Sequence, residues 1–101
     1  MSELKDMGDF VIAADDPCLD GHFPDRPVVP GVVLLERALA LVLAELRDGA
    51  RIGAIPRVKF KGFVLPDQVV TVSADCSGKR IVFRCRTVAG VIAEGQCEAE
   101  Y

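Results

Sequence analysis

The residues best suited to chemistry lie in one stretch of fifteen, from His22 to Glu36. This stretch holds the only histidine of the chain and ends on a carboxylate set among aliphatic residues. Histidine and glutamate are the side chains most readily tuned to exchange protons near neutral pH. Three prolines stiffen the connection between them, and Gly31 stands where a helix is expected to begin. The pairing predicts an acid/base site.

A single long helix must carry one of these groups. From about Gly31 to Leu46 nearly every residue is Val, Leu or Ala, which predicts a helix that is apolar almost all round and is wrapped by other structure on most sides. Its first amides, including that of Gly31, would be unpaired donors at the positive end of the helix dipole. Asp48 and Gly49 provide a plausible stop. The segment is too short and too polar to span a membrane.

The remaining segments alternate with a period of two, as strands do. Asp9 to Ala14 predicts a short first strand, and the strands expected after the helix cover about 57–61, 70–76, 81–86 and 91–101. Antiparallel strands of this kind have one dry and one wet face. We therefore expect an α+β fold in which four or five antiparallel strands curl around one helix.

Composition narrows the class of protein. A chain of 101 residues is expected to form a single domain, 1–101, yet 50% of its residues are hydrophobic. A core this small cannot hide that much apolar surface, so we expect a homodimer or a partner subunit. The net charge of −3 and the six aromatic residues per hundred give no reason to expect nucleic acid or a membrane as partner. The first residues lack a signal-peptide pattern, which predicts a cytoplasmic location.

The cysteines and the lone histidine argue against redox and metal chemistry. The four cysteines, Cys18, Cys76, Cys85 and Cys97, are far apart and form no Cys-x-x-Cys pair. Three of them fall on the apolar phase of the strands, so they are interpreted as small buried hydrophobic residues rather than catalytic thiols. With one histidine and no ligand spacing, we predict no metal and no cofactor.

The run His22-Phe23-Pro24-x-x-Pro27-x-x-Pro30-Gly31-Val32, followed by Glu36, resembles the active-site signature of the hotdog-fold 3-hydroxyacyl-acyl carrier protein dehydratases of fatty-acid synthesis. The resemblance continues through 58–68 and 90–94, so that it covers most of the chain from about Gly21 onward. It implies a hotdog fold, in which an antiparallel sheet enfolds a helix and pairs with the sheet of a second subunit.

This resemblance also implies roles for individual residues in the loss of water from a 3-hydroxyacyl thioester. His22 would be the base, Glu36 the acid, the amide of Gly31 the donor to the thioester carbonyl, and the carbonyl of Val28 the group that orients the imidazole. In the family the histidine and the carboxylate of one site come from opposite subunits. Glu36 is flanked by aliphatic residues and is therefore expected to be desolvated, which favours its protonated form.

Binding residues follow from the same resemblance. The helix would line an acyl tunnel, with Phe23, Val32, Val33 and Leu35 as candidate walls. The expected partner is an acyl carrier protein bearing the phosphopantetheine-linked substrate, with Arg26, Arg84 and Arg86 as candidate docking residues, since carrier proteins are acidic.

Other interpretations stay open on the sequence. Glu36 could be a first-turn carboxylate that complements the helix dipole, and the basic residues could be an ordinary solvated strand face. The chain could also be a hotdog acyl thioesterase, against which the His-Phe-Pro and Pro-Gly signature argues. It could finally be a non-catalytic dehydratase-like subunit that completes the site of a partner.

Overall fold

A computed structural model describes residues 4–19, 28–46, 49–76 and 78–100 of the chain. In chain order its elements are β1 (Lys5–Phe10), a single 3-10 turn (Pro17–Leu19), α1 (Gly31–Ala44), β2 (Arg51–Phe60), β3 (Val70–Asp75), β4 (Arg80–Thr87) and β5 (Gly90–Glu100). The strands form one antiparallel sheet in the order β1-β3-β4-β5-β2. The helix packs against β1, β2 and β3 on the concave side of this sheet. The architecture is the predicted hotdog fold.

The core lies between α1 and the inner face of the sheet. On β4, Ile81, Phe83 and Cys85 are buried, and the residues between them are not. The helix contributes Leu34, Ala38 and Val42, which are spaced four apart and so lie on one stripe. On β5 the residues from Ala93 to Ala99 likewise alternate between buried and half-buried, so the alternation expected for β4 and β5 is confirmed.

Ion pairs connect the strands on the outer face. The carboxylates of β5 pair with cations of β2, of β4 and of Lys61, the residue after β2: Lys61–Glu94 at 2.7 Å, Arg84–Glu94 at 3.6 Å, Arg80–Glu98 at 3.3 Å and Arg51–Glu100 at 3.1 Å. Opposite charges on neighbouring strands favour one register over its alternatives. This row therefore helps to align β2, β5 and β4.

Gly95 allows close packing in the middle of the sheet. It pairs with Phe83 on one side and Val58 on the other. A Cβ atom at this position would lie 2.5 Å from the Arg57 carbonyl oxygen and 3.0 Å from Cζ of Phe83. The ring of Phe83 therefore occupies the space that a side chain at Gly95 would need.

Some predicted boundaries were wrong. The first strand is Lys5–Phe10 rather than Asp9–Ala14, because pairing with β3 selects the earlier residues. The helix ends at Ala44, where Glu45 closes it, two residues before the predicted Leu46. The strand expected at 57–61 already begins at Arg51 and runs through Pro56. Proline is tolerated there because β2 is an edge strand.

The prediction that the helix is wrapped on most sides does not hold within one chain. Only the stripe of Leu34, Ala38 and Val42 is buried, while Val32 is 71% exposed and Leu43 is also exposed. A single sheet can cover only one side of a helix. The remaining apolar surface of α1 therefore needs a cover from outside the chain.

Candidate active site at the start of the helix

The segment before the helix is held in place by its backbone. The amide of Val29 donates to the carbonyl oxygen of Val64 at 2.9 Å, and both valines are buried. Pro30 has an extended conformation (φ −59°, ψ 140°), and its carbonyl oxygen accepts the first helical hydrogen bonds from Val33 and Leu34. The helix therefore begins at Gly31, as predicted, and the amide of Gly31 has no acceptor within the helix.

An apolar cavity of about 250 Å³ opens at this helix start. It is lined by Val28, Val29, Pro30, Gly31, Leu34, Phe60, Gly62, Phe63 and Val64. Its wall thus combines the segment before α1, the first turn of α1, the end of β2 and the loop after β2. The arrangement suits a ligand with an apolar tail, whose polar end would meet the positive end of the helix dipole.

The ring of Phe60 covers Gly31. A Cβ atom at Gly31 would lie 3.3 Å from Cζ of Phe60, a tight contact. Phe60 is 48% exposed and Phe63 is 79% exposed, so the cavity wall they form faces the outside of the single chain. Because residue 31 has no side chain, the ring of Phe60 can pack over the helix start, and the two residues form one side of the cavity.

Glu36 lies on the opposite side of the helix from the core. It is the sixth helical residue, and the first turn of α1 contains no acidic residue, which removes the dipole interpretation of Glu36. At 100° per residue it points about 200° away from Leu34. It is exposed in the single chain, beside the exposed apolar residues Val32 and Ala40. The expected desolvation of Glu36 is therefore not provided by its own subunit.

The other predicted residues have different positions. Val28 and Gly31 meet at the cavity, whereas Val32, Val33 and Leu35 do not line it. Val33 and Leu35 instead pack partly against the core. His22, Phe23 and Arg26 lie outside the described residues, so their roles remain predictions.

The sequence interpretation missed Phe60 and Phe63 as lining residues. Both fall in the segment 58–68, which carried part of the family resemblance but was interpreted only as a strand and turn. Alternation does place Phe60 on the inner face of β2. Its distance from the helix start depends on where β2 lies in the sheet, which alternation does not reveal.

The two candidate docking arginines in the described part of the chain are engaged in ion pairs. Arg84 contacts Glu94, and Arg86 contacts Asp6 at 3.2 Å and donates to the hydroxyl of Ser73 at 2.6 Å. Ser73 in turn donates to Asp6 at 2.8 Å. The Ser73 hydrogen bond and the Arg86 guanidinium lower the pKa of Asp6, and the Lys61 hydrogen bond is the main cause that lowers the pKa of Glu94.

Two of the cysteines behave as the buried hydrophobic residues that were predicted, whereas Cys76 is only half-buried. Cys85 and Cys97 are buried, and burial raises the pKa of each thiol to about 11. A thiol with such a pKa is almost entirely protonated at neutral pH, which argues against a nucleophilic role. Within the described ranges, no group of three or more His, Cys, Asp or Glu side chains could hold a metal ion. Among the described residues, no helix meets the length and hydrophobicity of a membrane span.

Comparison with solved structures shows the same fold. The dehydratase heterocomplex ApeI:P from Xenorhabdus doucetiae superposes with a TM-score of 0.81 at 19% identity, covering 92% of this chain and 84% of the other. The (R)-hydratase from A. caviae involved in PHA biosynthesis gives 0.72 at 17% identity, covering 98% and 94%. The fluoroacetyl-CoA-specific thioesterase FlK gives 0.66 at 19%, covering 98% and 91%. The fold is therefore shared by dehydratases, hydratases and thioesterases.

The relatives found by sequence comparison indicate which of these classes the chain resembles. The 3-hydroxyacyl-[acyl-carrier-protein] dehydratase FabZ of Caldicellulosiruptor bescii is 33% identical over 97 residues, which cover 88% of this chain and 69% of the relative. The FabZ of Natranaerobius thermophilus is 38% identical over 71 residues, covering 63% and 50%. The chain thus spans half to about two thirds of the length of such relatives. Residues 5–96 match the ApeI-like family, described as ApeI dehydratase, and the chain belongs to this family of hotdog dehydratases, which are lyases.

Proposed function

We propose that the protein is a 3-hydroxyacyl-acyl carrier protein dehydratase. It would remove water from a carrier-bound 3-hydroxyacyl thioester to give the trans-2-enoyl thioester, in fatty-acid or polyketide- or polyene-type biosynthesis. The observation that carries the proposal is the apolar cavity that ends at the first turn of α1, beside Gly31. The named activity of the FabZ relatives supports the reaction class.

The reaction needs two proton transfers and one carbonyl donor. His22 would take the proton from the carbon next to the thioester carbonyl, and Glu36 would give a proton to the 3-hydroxyl, so that a C–O bond breaks, water leaves and a C=C bond forms. The amide of Gly31 would donate to the thioester oxygen as negative charge develops on it. The carbonyl of Val28 would orient the imidazole. The apolar cavity would hold the acyl chain and exclude water.

A second subunit is part of the proposal. Glu36 faces away from its own core, on a helix surface where Val32, Ala40 and Leu43 are exposed. A subunit that covers this surface would desolvate Glu36 and could supply the histidine of the same site. We propose a homodimer or a heterodimer with a related dehydratase subunit, an arrangement supported by the Xenorhabdus doucetiae neighbour, which is a heterocomplex.

The carrier partner is also proposed. An acyl carrier protein would deliver the substrate, and the arginines considered for docking are Arg26, Arg84 and Arg86. The ion pairs of the last two leave them able to exchange partners, since both side chains remain more than 40% exposed. A cytoplasmic location stays a prediction.

The test is to incubate the purified full chain with carrier-bound 3-hydroxyacyl and 2-enoyl substrates, alone and mixed with a related dehydratase subunit. Reversible loss and addition of water supports the proposal. Release of free acid would instead indicate a thioesterase. Activity confined to the mixture would indicate a subunit that completes the site of a partner.

Replacing Glu36 with Gln tests the proposed role of this residue as the acid. The carboxamide keeps the shape but cannot give up a proton, so turnover should fall by about 100-fold or more. The control is Glu45→Gln, which changes an exposed glutamate at the far end of the same helix and should leave turnover unchanged. Equal rates for wild type and Glu36→Gln would remove Glu36 from the role of acid.

A further inference from the structure

One peptide group connects the loop after β2 to the segment before the helix. The amide of Leu65 donates to Oε1 of Gln68 at 2.9 Å. The carbonyl oxygen of Val64 belongs to the same peptide group and accepts from the amide of Val29 at 2.9 Å. The N–H and C=O of a trans peptide point in opposite directions. Gln68 and Val29 therefore hold this peptide group from its two sides.

A second peptide group continues the connection. The amide nitrogen of Val29 is bonded to the carbonyl carbon of Val28, whose oxygen points away from Val64. Val28 is buried and lines the apolar cavity, and no donor among the described residues reaches its carbonyl oxygen. The hydrogen bonds thus form a chain from the side chain of Gln68, through two peptide groups, to a carbonyl that can accept a further donor. Hydrogen bonds in such a chain polarise one another.

The turn that carries Gln68 is itself fixed. The backbone amide of Gln68 donates to the carbonyl oxygen of Leu65 at 3.3 Å, and the amide of Asp67 donates to that of Ile12 at 2.8 Å. Pro66 is the second residue of this turn, and Asp67, with a φ of 66°, is the third, a combination typical of a type II turn. In a residue other than glycine such a φ costs energy and persists only where surrounding contacts hold it. The side-chain oxygen of Gln68 is therefore presented to Leu65 from a fixed support.

We propose that Gln68 is a positioning residue for the candidate active site. It is not among the residues that line the cavity, and it acts by orienting the peptide group 64–65, the Val28 carbonyl and the helix start at Gly31. The inference rests on the proposed function, in which the Val28 carbonyl orients the imidazole and the Gly31 amide donates to the thioester oxygen. A displacement of such groups by about 1 Å can lower a rate by about 100-fold.

The first test removes the acceptor and measures turnover of a carrier-bound 3-hydroxyacyl substrate. Gln68→Leu keeps a side chain of similar size but cannot accept from the Leu65 amide. The value of kcat should fall by about 10-fold, because the groups that these bonds orient act on the reacting atoms. The value of KM should stay within about 2-fold, because Gln68 does not line the cavity that holds the acyl chain. Gln68→Glu keeps an oxygen at the same place and should recover most of the wild-type kcat.

The second test follows the chain of hydrogen bonds without catalysis. Hydrogen exchange of the Val29 amide, measured by NMR, should become about 10-fold faster in Gln68→Leu, because its acceptor is held less firmly. The amide of Lys61, which donates to the carbonyl oxygen of Ile92 at 2.7 Å, is the internal control. A general loss of stability would accelerate exchange at both amides, whereas loss of the Gln68 bond should accelerate it at Val29.

The matched control is Gln96→Leu. It makes the same change at the other glutamine of the chain, which is also half-buried but lies on β5, and it should alter neither kcat nor the exchange of Val29. If Gln68→Leu does not fold, Gln68→Met takes its place, since a thioether sulfur is only a weak acceptor. An unchanged kcat in the folded variant, or a rise in Val29 exchange no larger than that of Lys61, overturns the positioning role.

The two proposals fail separately. A wild-type chain that does not dehydrate its substrate, but whose Val29 amide responds to Gln68→Leu as expected, overturns only the proposed function. A chain that dehydrates its substrate with the same kcat in wild type and in Gln68→Leu overturns only the role of Gln68.

Discussion

The ring of Phe60 packs over Gly31 at the candidate site. A Cβ atom at residue 31 would be in tight contact with this ring, and both residues border the apolar cavity. A glycine at the first position of a helix costs conformational entropy relative to alanine, so its presence here is better explained by the space it leaves than by helix stability.

Replacing Gly31 with Ala should therefore separate stability from activity. The methyl group would push against Cζ of Phe60 and occupy the space beside the amide, so turnover should fall by about 10-fold or more. The melting temperature should stay the same or rise, since alanine favours the helix. Both quantities are measured on the same preparation. Adding Phe60→Leu gives the methyl group room and should recover part of the turnover; full activity of Gly31→Ala alone would contradict the assigned role.

Among the elements, β5 packs closely against β2 and β4 at Gly95. The space above this glycine is filled by the ring of Phe83 and by the backbone of β2. Strands can come this close only without a side chain between them.

Replacing Gly95 with Ala should thus destabilise the sheet by about 1–3 kcal/mol, the usual cost of overpacking a filled core. Gly78→Ala is the control, because a Cβ atom there meets nothing within 4 Å. Its effect should stay within about 0.5 kcal/mol. Urea unfolding of the two variants measures the difference, and equal stabilities would show that β2 can move away from β5 without cost.

The network of Asp6, Ser73 and Arg86 links β1 to β3 and β4. Because the folded state holds the pKa of Asp6 below its ordinary value of 3.8, this carboxylate stabilises the fold above that pH. The contribution is lost as the pH falls from 3.8 through the lower pKa of the folded state.

Asp6→Asn should accordingly lose less stability than wild type when the pH is lowered from 5 to below 3.8. Asp9→Asn, on the same strand but outside this network, is the control and should follow the wild type. Urea unfolding at several pH values provides the comparison. Parallel curves for wild type and Asp6→Asn would mean that Asp6 is equally free in the folded and unfolded states.

For the whole molecule, the main feature is apolar surface that one chain leaves uncovered. The outward side of α1, the end of β2 and Phe63 are all exposed and apolar. Glu36 lies in the middle of the helical part of this surface. Assembly and catalysis are therefore expected to depend on the same contacts.

Replacing Ile55 with Ser should weaken subunit association and lower turnover together, since the residue is 40% exposed on the open edge strand. Val88→Ser is the control: this valine is fully exposed in the turn between β4 and β5, far along the chain from the edge. Sedimentation and turnover are measured over a range of protein concentrations. Normal turnover by a monomeric Ile55→Ser variant would show that one subunit holds a complete site.

The sequence by itself determined the succession of elements, the start of the helix at Gly31, the buried faces of β4 and β5, and the family. These features depend on neighbours two to four residues apart and on a contiguous signature, so they can be derived from local order. Only the tertiary structure decided that β2 begins at Arg51 and forms an edge, that Phe60 and Phe63 line the cavity, and that Glu36 faces away from its own core. Those features depend on long-range strand pairing and on which side of the helix the sheet covers, neither of which is set by local periodicity.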